Sequence, residues 1–379
     1  MAKTDEMKST DQVESGRRSR ASGGSASDVA LRVGIDLGTN TSVFQVSDDG
    51  RPVNHSKDCV LSVVGFPKAG IIPGILPTDT TALFGDEAIE YRLHLDLRWV
   101  LKDGFVDNVE LCKLFTQHMR KLINPAGDRK IWGVVGAPAN ASPERQKEIR
   151  GTMVGVLDRI VIVPEPFLAA MGLRDDPGFK GKSADIDPTK HSLIVDIGAG
   201  TTDLCLVRGY YPTQEDQISF SRAGNFVDDN LLRGIQRRYP DIKLSKVTVT
   251  QLKEKHSYVG TEGRTAPVKL YVDGKPKSLD FGEIVREACE SIVPDILQGI
   301  KDLLARCDSD SIEHVLKNII FTGGGSEISG ICERVQKALR DEGYDVATTR
   351  KPADYKRLVA RGGLKIAENV RDDQWQVPF

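Results

Sequence analysis

Two short stretches of this chain carry the residue types that can hold a polyphosphate. Val33 to Val46 reads VGIDLGTNTSVFQV, and Leu193 to Val207 reads LIVDIGAGTTDLCLV. Each is an apolar run, then Asp-x-Gly, then a turn of small and hydroxyl residues, then a second apolar run. That order predicts a β-hairpin with a polar tip. Glycine at such a tip lets the backbone come close, so successive N–H groups can face phosphate oxygens, and Thr hydroxyls add donors. An aspartate beside the tip would repel phosphate unless a cation lay between them. Asp36 and Asp196, one per hairpin, therefore suggest Mg2+ held mostly through water. One Asp-Gly turn is commonplace. Two copies with matched hydroxyl runs (Thr39, Thr41 and Ser42; Thr201 and Thr202) carry far more weight.

A third glycine cluster, Phe321-Thr322-Gly323-Gly324-Gly325-Ser326, follows the apolar run Asn318 to Ile320 and precedes a helix-like stretch. A strand–glycine turn–helix sets bare backbone against a flat ligand or a phosphate, although such turns are frequent in α/β folds. Gly181-Lys182-Ser183 imitates the end of a P-loop. Asp176 stands where the first glycine of that motif belongs and no strand precedes it, so it reads as an ordinary loop. Glu165 follows Pro164 at a helix start. Taken alone it is an acid stabilised by the helix dipole; in a phosphoryl-transfer site it could place a water.

Strands and helices must position these residues. Asp36 and Asp196 stand 160 positions apart, and a hairpin repeated at that distance suggests two related domains, each opening with the same unit. Between them Val100 to Leu122 shows helical spacing, Ile131 to Pro138 reads as a buried strand, and Ser142-Pro143-Glu144 reads as a capped helix start. Asp158 to Val163 is a further strand and Pro164 to Leu173 a helix. The alternation predicts an α/β architecture.

Composition narrows the class. At 379 residues, 39% hydrophobic and 28% charged, the chain reads as a soluble globular protein of two or three domains. A formal net charge of -2 supplies no field toward nucleic acid or an anionic membrane. The six cysteines form no CxxC pair, which argues against a zinc site or disulfide framework and fits a reducing cytoplasm. No apolar run approaches the roughly 20 residues of a spanning helix, and no signal-peptide core opens the chain. Met1 to Asp28, poor in apolar residues, is expected to be a disordered tail, with Arg17, Arg18 and Arg20 as a small basic cluster.

In their order along the chain these segments resemble the actin and heat-shock-chaperone ATPase superfamily. Val33 to Val46 is similar to its first phosphate motif, Leu193 to Val207 to its second, and Ile319 to Gly330 to its adenosine motif. Val163 to Gly172 and Leu358 to Ala367 resemble its two connecting helices. Further stretches are similar to the magnetosome-associated bacterial actins: SVVGFPK from Ser62, GDEAIEYR from Gly85, LDLRWVLKDG from Leu95, EDQISFSRAGNFVDD from Glu215 and ACESIVPDI from Ala288. The N-terminal tail and the polar loop at 178–188 are longer than in that pattern.

The resemblance implies an actin-like ATPase fold of two RNase-H-like domains, each with a smaller inserted subdomain. The boundaries it implies are a tail at 1–29, a first large subdomain from 30–55, 92–172 and 358–379, and its insert at 56–91. The second large subdomain takes 173–222 and 290–357, with an insert at 223–289. It implies ATP with Mg2+ in the cleft. Asp36 and Asp196 would position the metal through water and Glu165 would orient the attacking water. Gly38, Thr39, Asn40 and Thr41 would form the first phosphate loop, and Gly198, Ala199, Gly200, Thr201 and Thr202 the second. Gly224, Lys253 and Glu254 would lie at the nucleotide, and Gly323, Gly324, Gly325 and Ser326 under the adenosine. The expected function is a cytoplasmic filament of this chain, turned over by slow ATP hydrolysis. It would organise magnetosome chains through adaptor proteins, without nucleic acid and without direct membrane insertion. A plasmid-segregating or cell-shape actin and a metabolite kinase of the same superfamily are the alternatives. A chaperone ATPase would need a peptide-binding domain after the last motif, where this sequence reaches Phe379.

Overall fold

The structure, a computed structural model, describes residues 29–77, 80–174, 176, 187–272 and 274–379. The expected tail up to residue 28, and Gly181-Lys182-Ser183 with most of its polar loop, lie outside the described residues.

Both predicted hairpins form, and each sits at the centre of its own sheet. Leu31–Leu37 pairs antiparallel with Thr41–Asp48, with Asp36 opposite Val43. Ser192–Ile197 pairs antiparallel with Thr202–Val207, with Asp196 opposite Asp203. The first sheet runs Arg159–Pro164, Ile131–Ala137, Leu31–Leu37, Thr41–Asp48, Arg51–Val53, and Cys59–Leu61 also pairs with Thr41–Asp48. The second runs Gln217–Phe220, Thr202–Val207, Ser192–Ile197, Ile319–Thr322, Thr349–Arg350. In each, the first three strands of the chain are antiparallel, and two later strands add in parallel on the other side of the first. The two halves therefore share one RNase-H-like topology, which is what a duplicated opening hairpin requires.

Two helices tie the sheets together. Glu165–Leu173 and Leu358–Ala367 lie in a core that draws Val134 and Val163 from the first sheet and Ile194, Val207 and Ile320 from the second. Their crossing is tight enough to exclude side chains. A Cβ on Gly362 would lie 1.9 Å from the Leu168 carbonyl oxygen, and one on Gly172 would lie 2.2 Å from that of Leu358. These are the two segments that resembled connecting helices.

Smaller units flank each half. Val63–Pro67, Leu83–Phe84 and Leu95–Trp99 form a three-stranded sheet beside the first. Leu95–Trp99, which the sequence reading placed in the large subdomain, thus pairs into the smaller sheet. Beside the second half, helices Gly224–Arg238, Lys246–His256 and Gly282–Glu290 accompany the hairpin Pro267–Val272 with Lys275–Asp280.

One expected element is shorter than its periodicity suggested. The helix read over 100–122 spans only Val109–Ile123, capped by Asn108, whose Oδ1 accepts the Leu111 N–H at 2.9 Å. The residues before it form a small hairpin, Leu101–Lys102 with Phe105–Val106. Its turn, Asp103-Gly104, has φ of 49° and 80°, the left-handed pair of a tight hairpin turn, which no helix can contain. The helix Pro143–Thr152 starts as read, with the Ser142 hydroxyl accepting from Arg145 N at 3.3 Å.

Candidate functional site

The tips of the two central hairpins meet at one cavity of about 480 Å3. They are in contact: a Cβ on Gly200 of the second tip would lie 2.5 Å from Thr39 Oγ1 of the first. The cavity is lined by Asp36, Gly38, Thr39, Asn40 and Thr41 from the first hairpin and by Asp196, Gly198, Ala199, Gly200 and Thr201 from the second. Glu165 reaches it from the start of the first connecting helix, Gly224 from its own helix start, Lys253 and Glu254 from helix Lys246–His256, and Gly323, Gly324 and Gly325 from the turn after Ile319–Thr322. Two expected residues do not line it. Thr202 is fully buried in its strand, its hydroxyl donating to the Arg222 carbonyl at 2.8 Å. Ser326 is equally buried and donates to the Gly323 carbonyl at 2.7 Å, so it shapes the glycine turn from behind.

Each tip is braced by its neighbours. The Ser62 hydroxyl donates to the Gly38 carbonyl at 2.6 Å and Ser62 N to that of Asn40 at 2.9 Å. At the second tip, Gly224 N donates to Gly198 O at 3.0 Å and Asn225 N to Ala199 O at 2.7 Å. Helix Gly224–Arg238 has no side-chain cap; its first free N–H groups are satisfied by the loop instead. Gly323, at φ 75°, abuts Asp196, since a Cβ there would lie 2.3 Å from its Oδ1.

Lys253 is held in place. Its Nζ lies 3.0 Å from Asp228 Oδ1 and donates to the Gly224 carbonyl at 3.1 Å, while Thr250 Oγ1 donates to Asp228 Oδ2 at 2.7 Å. Asp228 and Thr250 both line the cavity, as do Gly104, Tyr355 and Lys356; none was singled out from sequence. Asp203 was also missed. It sits directly across from Asp196 in the ladder and accepts the Ala139 N–H of the first half at 2.8 Å. Two aspartates facing each other in otherwise apolar strands are a signal the sequence does contain, because like charges so placed oppose pairing.

Burial raises all four acids, and neighbouring carboxylates raise Glu165 and Asp196 further. Burial pushes Asp36 up to about 7, although part of its surface opens to the cavity. Burial first, then Asp36, Asp203 and Asp196, hold Glu165 well above the usual carboxylate range. Asp196 is raised by burial and then by Asp203 and Asp36. Asp203 is pushed to about 6 by burial, against hydrogen bonds from Thr201, Ser219 and Ala139 that favour its charged form. Among the described residues no ion pair engages Asp36, Asp196 or Glu165. Buried acids with no cationic side chain, next to loops of backbone donors, fit a divalent cation accompanying a polyphosphate. No group of three or more His, Cys, Asp or Glu suited to direct metal ligation occurs among the described residues.

Two sheets of one RNase-H-like topology, joined by crossing helices around a cavity of paired glycine–threonine tips, define the actin-like class of fold. The chain belongs to the MreB/Mbl protein family, whose model matches residues 30–374. It is 34% identical over 350 residues to the actin-like protein MamK of Magnetospirillum gryphiswaldense, covering 91% of each chain. Among solved structures it is similar to a MamK double helical filament, with a TM-score of 0.79 and 33% identity over 90% of this chain and 100% of that one. It is also similar to a non-polymerising MamK mutant bound to AMPPNP, with a TM-score of 0.62 and 33% identity over 90% of this chain and 99% of that one.

Proposed function

We propose that this chain binds ATP with Mg2+ in the cavity between its two halves, polymerises in the ATP-bound form, and hydrolyses ATP slowly so that filaments turn over. The observation that carries the reading is the convergence of both hairpin tips and the glycine turn on one cavity that also holds Asp36, Asp196 and Glu165. The AMPPNP-bound relative and the filament relative support it from outside the chain.

The roles follow from chemistry. The N–H groups and hydroxyls of Gly38–Thr41 and Gly198–Thr201 bind and orient the phosphates. Asp36 and Asp196 hold the hydrated Mg2+, which when bound neutralises phosphate charge. Glu165 fixes the position of the attacking water, since phosphoryl transfer depends on placement more than on a strong base. Lys253, Glu254 and the turn at Gly323–Gly325 face the nucleoside end. The subdomain boundaries stated above are adopted with this reading, except that Leu95–Trp99 goes with the smaller sheet of the first half.

The filament is proposed to lie in the cytoplasm beside magnetosomes and to align or segregate their chains. Among the described residues no helix is long and apolar enough to cross a membrane, so the proposed attachment runs through adaptor proteins. The test is sedimentation and electron microscopy of the purified full chain with Mg2+ and ATP, AMPPNP or no nucleotide. Filaments that form with ATP, and persist longer with AMPPNP, are the expected result. A chain that binds ATP, phosphorylates a metabolite and never pellets would overturn it in favour of a kinase.

A further inference from the structure

The stretch Leu95–Gly104, LDLRWVLKDG, runs from the small sheet of the first half to the cavity, and it touches the second half at both ends. At its outer end, Lys246 Nζ lies 5.8 Å from the centre of the Trp99 ring. Lys246 opens the helix Lys246–His256, whose last turn carries Lys253 to the cavity two turns further on. At its inner end the Asp103-Gly104 turn is wedged against both tips. Gly104 N donates to Thr39 Oγ1 at 2.9 Å, and a Cβ on Gly104 would lie 2.8 Å from Thr201 Cγ2. A Cβ on Gly200 would in turn lie 2.4 Å from Gly104 N. Between the ends the stretch is fixed to the first half. Val100 and Leu101 are buried in its core, and Val100 N donates at 2.9 Å to the carbonyl of Ser62, the residue that braces the first tip.

We propose that residues 99–104 form a strap coupling the phosphate tips to the mouth of the cleft. Trp99 and Lys246 are the clasp that slows nucleotide release, and Gly104 is the positioning residue that sets the spacing of the two tips. The proposal rests on the nucleotide reading of the cavity and adds how that site is kept closed. The strap is anchored to the first half through Val100 and Leu101, so in this proposal a displacement of Gly200 or Thr201 at the inner end is felt at Trp99 at the outer end.

The experiment is release of a fluorescent ATP analogue with Mg2+ from the full chain, followed by stopped flow. A cation–aromatic contact at a partly exposed site is worth about a two- to fivefold change. Lys246→Met and Trp99→Leu are each expected to speed release by that factor. The two together should do no more than either alone, and Trp99→Phe, which keeps a ring, should stay near wild type. Gly104→Ala places a Cβ into Thr201 at a left-handed backbone position and is expected to weaken nucleotide binding about tenfold. Wild-type release rates in both Lys246→Met and Trp99→Leu, or strictly additive effects in the double variant, would overturn the strap even if Gly104→Ala fails to fold. A wild-type chain that binds no nucleotide sinks the reading of the cavity and the strap with it, whereas normal binding with an inert clasp sinks the strap alone.

Discussion

Replacing Lys253 by Met separates what that side chain does for the fold from what it does for a ligand. Asp228, which it faces, is 3% exposed, and Oδ1 of that carboxylate has Lys253 Nζ at 3.0 Å while Oδ2 accepts from Thr250. Removing one partner of a buried ion pair costs about 3–5 kcal/mol, because the other charge stays behind unpaired. Thr250 still serves one oxygen, which puts the expected loss at the lower end, about 3 kcal/mol. That is a large share of the roughly 5–15 kcal/mol that holds a typical domain folded. The assay is amide hydrogen exchange of helix Gly224–Arg238 in nucleotide-free protein, because it reads this unit without assuming that two domains melt as one. Protection there should fall about a hundredfold. Adding Asp228→Asn removes the stranded charge, so the double variant should regain most of the protection while nucleotide affinity stays low in both. Wild-type exchange in Lys253→Met, or a double variant worse than the single one, would refute the reasoning.

Three further outcomes are expected. Glu165→Gln should cut ATP hydrolysis by about 10²-fold or more while leaving nucleotide binding and assembly intact, so filaments outlast those of wild type; phosphate release and sedimentation check it. Gly362→Ala gains about 1 kcal/mol of helix propensity but sets its Cβ 1.9 Å from a backbone oxygen that no rotamer change can clear; a lower melting temperature is expected, and a higher one would show that the crossing yields. The nucleotide-free protein should also become more stable toward acid through its cleft. Asp36 is held near 7 and Asp203 near 6, both from a usual 3.8, so the folded chain takes up protons that the unfolded chain lacks, and the stabilisation present at low pH is lost as pH rises through 6 to 7. His118, held near 4 by burial, works in the opposite direction below 6.5, so the quantity to measure is the difference in melting temperature between wild type and Asp36→Asn; a difference that does not change with pH would remove Asp36 from this account.

What could be read in the sequence was whatever repeats or punctuates. Two Asp-x-Gly hairpins, a Ser-Pro helix start and a triple-glycine turn each have a local cause, and each formed where its residues stood. The helix read across 100–122 went astray because apolar spacing outweighed a single Asp-Gly pair, and only the left-handed turn in the structure separates hairpin from helix. Thr202 and Ser326 belong to the right motifs but face away from the cavity, since a motif does not say which of two adjacent residues turns inward. Gly104, Tyr355, Lys356, Asp228 and Thr250 were out of reach for another reason. They arrive at the cavity from four separate elements, and nothing local in the chain announces that long-range meeting.

The two halves share a topology but not their charges, and the site depends on that difference. Asp36 stands opposite a valine, whereas Asp196 stands opposite Asp203, and Glu165 enters from the first connecting helix. The first half thus brings Asp36 and Glu165 to the cavity, and the second brings Asp196 with Asp203 beside it. Burial raises all four carboxylates, and repulsion from the other acids, reaching across the gap, raises Glu165 and Asp196 further. Under the proposed function a divalent cation with its phosphates would reverse the sign, because the acids would then face positive charge and each tip would offer its N–H groups to an anion. The two sheets are joined through the glycine crossing of Glu165–Leu173 and Leu358–Ala367, where backbone meets backbone. The core around that crossing draws side chains from both sheets, so the spacing of the acids across the cavity is tied to the packing of the two helices.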